Sequence, residues 1–103
     1  LSVPGIDAFF VGPNDLLKSM GEKPQWESDK QEFIDALDHL QAVGKKYGVA
    51  SGIHVADVAA AERRRKEGFQ FIAVASEAGM MLSKASEMAK ALGCGQDREV
   101  AKY

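Results

Sequence analysis

Three short apolar runs, Ile6–Val11, Val49–Ile53 and Phe69–Ala75, are separated by stretches long enough to be helices. This spacing constrains the fold more than any other feature. Each run is too short for a helix and rich in β-branched or aromatic residues, so each predicts a buried strand. Strands joined through helices cannot pair as hairpins; they need crossovers, and crossovers build a parallel sheet. The expected class is therefore α/β, in the order strand, helix, helix, strand, helix, strand, helix.

The connecting stretches carry their own start and stop signals. After a leading loop, Leu1–Gly5, the first strand breaks at Gly12-Pro13 and a short helix is expected from about Asp15 to Met20, stopped by Gly21. Glu22–Glu27 is polar, with Pro24 and an isolated Trp26, and reads as a surface excursion that Trp26 anchors; a lid or subunit contact is the lesser reading. Ser28 with Gln31 makes a capping-box pattern for a helix reaching Tyr47. Its apolar stripe would be Phe33, Leu37, Leu40, Gly44 and Tyr47, leaving His39 on the surface, with Gly48 as the stop. His54 is expected just beyond the second strand, in a packing or loop role, with facing an active site as the lesser reading. An alanine-rich helix from about Ala56 to Glu67 ends at Gly68, and Arg63–Lys66 at its end reads as a solvated cationic face. The third strand, apolar but for Gln70, suggests cover on both faces. The last helix, from about Gly79 to Leu92, has the stripe Met81, Ala85, Met88 and Leu92, which reads as core packing. Cys94–Tyr103 reads as a polar tail, and residues 1–93 as one unit.

The first break holds the candidate chemistry. Gly12 is read as relaxing the backbone, Pro13 as ending the strand, and Asn14 as capping the helix whose first turn holds Asp15. A carboxylate and free backbone N–H groups would then meet at the C-terminal end of a parallel strand, where α/β folds place their sites. A plain cap, with Asp15 complementing the helix dipole, accounts for the same spacing.

Residues Asp7–Leu16, DAFFVGPNDL, resemble the motif Asp-(any)-(apolar)-Phe-(Ile/Val)-Gly-Pro-(Asn/Ala/Ser)-Asp-Leu of the HpcH/HpaI family of metal-dependent pyruvate aldolases. The resemblance continues in order from Val3 to about Gly93. It implies a (β/α) barrel, and such a barrel needs about 250 residues. The 103 residues would therefore be its C-terminal part, about three βα units. It also implies cleavage of a 4-hydroxy-2-oxo acid to pyruvate and an aldehyde, with a divalent metal, Mg²⁺, Mn²⁺ or Co²⁺, as Lewis acid. Asp15 would be a metal ligand; in the substrate-binding turn Gly12, Pro13, Asn14 and Asp15, the backbone N–H groups of Asn14 and Asp15 would hold the substrate carboxylate and Gly12 would allow its close approach. Met81 is chiefly a packing residue, with contact to the aldehyde half as its lesser reading. The second acidic ligand, an arginine and the acid–base histidine would lie upstream of Leu1. A homo-oligomer through the last helix is the implied assembly. Two alternatives stand beside this one: an acyl-CoA lyase of the citrate lyase β or malyl-CoA lyase type, and a non-catalytic half-barrel acting as an interaction module.

Composition removes other classes. With a formal charge of −2, the chain offers little to nucleic acid, and no apolar run approaches the ~18 residues of a membrane span. One cysteine permits no internal disulfide, consistent with a reducing, cytoplasmic setting.

Overall fold

A computed structural model describes residues 1–94. It is a three-stranded parallel sheet of order β1-β2-β3 with helices between the strands. The elements are β1 (Ala8–Val11), α1 (Pro13–Ser19), α2 (Gln31–Tyr47), β2 (Ala50–Val55), α3 (Val58–Glu67), β3 (Phe71–Val74) and α4 (Glu77–Ala91). The expected α/β class and element order hold. Beyond Cys94, the expected polar tail lies outside the described residues.

Several boundaries differ from expectation, each for a local reason. Helix α1 starts at Pro13, with Gly12 in the capping position and no side-chain cap bond. Proline suits this first position because its missing N–H would have no helical partner there. Asn14 is therefore inside the helix rather than its cap. The Ser28–Gln31 capping box does not form: Lys30 holds the cap position of α2, and the Ser28 hydroxyl instead accepts from Lys30 N at 3.3 Å. Asp57 caps α3 by accepting from Ala60 N at 2.8 Å, and Ser76 caps α4 by accepting from Gly79 N at 3.1 Å. Gly48 and Gly68 end their helices in left-handed conformations, with φ of 66° and 103°. That is the stop expected of both.

The register sorts the strand residues onto two faces. Ala8 pairs with Ala50, Phe10 with Gly52, Gly52 with Phe71 and His54 with Ala73. Strand side chains alternate, so Phe10, Gly52, His54, Phe71 and Ala73 share one face. Phe9, Val11, Ser51, Ile53, Val55 and Ile72 share the other. Helices α1, α2 and α3 cover only this second face, and the core of Val11, Leu17, Phe33, Leu37, Ile53, Val55, Ala60 and Phe69 lies between. Phe9 belongs to this helix side: its ring packs against Gly44, where a Cβ would stand 3.0 Å from Phe9 Cε1. The first face is uncovered, so the third strand is apolar without being enclosed. Phe10 and Phe71 are half exposed and stack with ring centroids 5.6 Å apart. Phe71 lies across Gly52, where a side chain would collide with its ring. Tyr47, expected in the stripe of α2, is exposed.

Helix α4 departs most from expectation. It buries no residue and makes at most marginal contact with any other element. Met81 is 69% exposed, Met88 57% and Leu92 77%, so the stripe is not core among the described residues. The Cα extents, 55 × 26 × 23 Å, reflect this projecting helix. No described helix is long and apolar enough to cross a membrane.

Candidate functional site

At the C-terminal end of β1 the chain turns directly into α1. The first helical bond, Leu16 N to Gly12 O at 2.9 Å, closes the turn. Pro13 is buried, and Leu17 anchors the helix in the core at 1% exposure. Asn14 and Asp15 therefore stand on a rigid base with their backbone N–H groups in the first turn, where no acceptor among the described residues reaches them. The Asp15 side chain is exposed.

Gly12 has φ −96° and ψ 105°, an extended conformation open to any residue. Its expected role in relaxing the backbone is thus not what the position demands. The demand is space: a Cβ on Gly12 would stand 2.7 Å from Asp15 Oδ2. The carboxylate folds back over the glycine, and the two residues form one unit.

The sequence-selected residues Gly12, Pro13, Asn14 and Asp15 are brought together. Met81 is not; it is exposed on α4, which makes at most marginal contact with the other described elements. Among the described residues no group of three or more His, Cys, Asp or Glu side chains could hold a metal ion. Asp15 fits a hard cation in donor type, an exposed carboxylate oxygen. It is a single donor, so these residues supply one ligand of a site and not the whole.

Sequence reading missed a second cluster on the uncovered face. His54 lies inside β2, not beyond it, and its Nε2 donates to the Ala75 carbonyl at 2.6 Å. Trp26 meets the imidazole edge-on, with centroids 4.7 Å apart. The loop carrying Trp26 is tied down next door, where Glu27 accepts from Arg64 at 2.6 Å and pairs with Arg63 at 3.1 Å. Arg64 also binds Glu67 at 2.7 Å and is only 8% exposed, so this part of the expected solvated cationic face is a buried strut. Trp26 is an anchor, as expected, and His39 is exposed. The isolated tryptophan was the only sequence signal for this cluster, and its partners lie far along the chain.

Comparison with known proteins bears on the turn. The family model described as HpcH/HpaI aldolase/citrate lyase matches residues 1–84. A hydroxypyruvate/pyruvate aldolase of Paraburkholderia phytofirmans is 38% identical over 81 residues, covering 79% of this chain and 30% of that protein. A 4-hydroxy-2-oxo-heptane-1,7-dioate aldolase of Salmonella arizonae is 34% identical over 95 residues, covering 90% and 35%. The crystal structure of an HpcH/HpaI aldolase/citrate lyase family protein from Burkholderia cenocepacia superposes with a TM-score of 0.77 at 32% identity, over 87% of this chain and 34% of that one. The chain thus spans about a third of the length of the curated relatives it matches.

Proposed function

The chain belongs to the HpcH/HpaI aldolase/citrate lyase family, and from that premise we propose that it forms the C-terminal part of a metal-dependent aldolase of the (β/α)-barrel type. The reaction would cleave a 4-hydroxy-2-oxo acid to pyruvate and an aldehyde. The observation that carries this reading is the Gly12–Asp15 unit at the C-terminal end of a parallel strand. A one-sided sheet supports the barrel: helices cover a single face, as they do along an arc of barrel wall, and the opposite face is left for the interior. The aldolase names of relatives such as the Paraburkholderia and Salmonella enzymes favour this reading over the acyl-CoA lyase branch.

Breaking a carbon–carbon bond next to a ketone leaves negative charge on the keto oxygen, and that charge must be held. A divalent cation (Mg²⁺, Mn²⁺ or Co²⁺) supplies this as a Lewis acid when bound, with Asp15 as one of its ligands. The N–H groups of Asn14 and Asp15 orient the substrate carboxylate, as donors at a helix start can. Pro13 removes a competing donor and fixes the turn, and Gly12 leaves room for the Asp15 carboxylate. The remaining ligand, the arginine and the proton-transferring histidine are expected from sequence upstream of Leu1. Met81 on α4 is kept as a lesser contact to the aldehyde half. Exposed Met81, Met88 and Leu92 on a projecting helix support homo-oligomerisation through α4. A cytoplasmic setting, with no nucleic-acid or membrane partner, completes the proposal.

The test is turnover of 4-hydroxy-2-oxo acids by the full-length protein, with and without chelator, for wild type and Asp15→Asn. Chelator-sensitive cleavage lost in the variant is expected. Carbon–carbon cleavage of a hydroxyacyl-CoA instead would place the protein in the lyase branch, and wild-type cleavage that survives chelation would overturn the metal reading.

A further inference from the structure

Ala75 is the one described non-glycine residue with positive φ, at 54°. Left-handed backbone brings an alanine Cβ against the neighbouring carbonyl, so it persists only where surrounding contacts hold it. Here both polar groups of the residue are held by β2. Ala75 N donates to Val55 O at 2.7 Å, and Ala75 O accepts from His54 Nε2 at 2.6 Å. A carbonyl only accepts, so the imidazole must carry its proton on Nε2. Trp26 packs on the ring edge, and its neighbour Glu27 is fixed by Arg63 and Arg64 of α3.

This residue is also a joint. Ser76, its successor, caps α4, and α4 makes at most marginal contact with the other described elements. The direction of a 15-residue helix therefore depends on the Ala75–Ser76 turn. We propose that His54 is a positioning residue: backed by Trp26, it clamps Ala75 in the left-handed conformation and so fixes the direction in which α4 leaves the sheet. The clamp does not depend on which reaction the Gly12–Asp15 turn supports.

The experiment uses the full-length protein that carries this chain. In the wild type, ¹⁵N imidazole spectra should show His54 as the Nε2–H form with a directly detected N–H; an Nδ1–H form would overturn the clamp. His54→Leu should lower the thermal midpoint by about 2–4 °C, the loss expected for one part-buried hydrogen bond in a barrel-sized domain. Introducing the same change beside Ala75→Gly should cost less than half as much, because glycine adopts positive φ without being held. His54→Gln, whose amide N–H reaches the same carbonyl, should restore most of the midpoint. It also keeps the test open should His54→Leu not fold. Spin labels on Cys94 and an introduced Asp38→Cys should give a narrow distance distribution in wild type and a broad one in His54→Leu. Equal midpoint losses in both backgrounds, or an unchanged distribution, would show that the bond is incidental.

Discussion

The carboxylate of Asp15 occupies the space that a side chain on Gly12 would need, with Oδ2 2.7 Å from the position of the missing Cβ. The obstructing atom is the end of a rotatable side chain, so an added methyl would displace the carboxylate and leave the backbone alone. Gly12→Ala should therefore shift the thermal midpoint by less than about 4 °C, an effect under about 1 kcal/mol. It should still weaken Mn²⁺ and pyruvate binding in the full-length protein by about tenfold or more, in the range seen when a ligand is misoriented. Calorimetry on one preparation reads both. A stability loss without a binding loss would make the glycine structural only.

Asp15→Asn keeps the size of the side chain and removes its charge. The residue is exposed and its side chain makes no hydrogen bond among the described residues, so folding should be unaffected. Metal affinity should fall by more than about a hundredfold, beyond the effect of disturbing an indirect partner. Near-normal turnover at saturating metal would sink the ligand assignment.

Ala75→Gly removes the steric cost of a left-handed alanine at the end of β3. It should stabilise the protein by about 1 kcal/mol, offset in part by greater freedom in the unfolded chain. Thermal or denaturant unfolding reads this directly. Destabilisation would mean that the positive φ carries no strain.

Glu27 joins the Trp26 loop to α3 through Arg63 and Arg64. Removing it by Glu27→Ala leaves the Arg64 guanidinium, 8% exposed, with Glu67 as its remaining carboxylate partner. The loss should be about 1–3 kcal/mol, because a buried donor set loses one of its two charged acceptors. Trp26 emission should shift to the red as the ring leaves His54. An unmoved emission maximum would separate the ion pairs from the seating of the tryptophan.

Residues 1–103 expressed alone should self-associate. Both β1 and β3 are sheet edges with unpaired backbone groups, and Phe10 and Phe71 lie on an uncovered face. Size-exclusion chromatography should show oligomers or a loosely packed species without aldolase activity under any divalent metal. Activity and cooperative unfolding should return when the proposed upstream part of a barrel is supplied. A monodisperse, active monomer is the contrary result.

What the sequence determined by itself is local. Strand–helix alternation, the stops at Gly48 and Gly68, and the gathering of Gly12–Asp15 at a strand end follow from periodicity and turn chemistry within a few residues. The tertiary structure decided everything that depends on a distant partner. Alternation along β1 is legible, yet whether Phe9 or Phe10 faces the helices depends on register with β2 and on which face α2 covers. Arg64 looks like one more surface cation until Glu27, 37 residues away, is brought against it. His54 is a sheet residue with a fixed proton only because Ala75 O arrives beside it from β3. The methionine stripe of α4 carries the same periodicity as a core helix. Periodicity records that a face is apolar and not what covers it, and among the described residues α4 buries none.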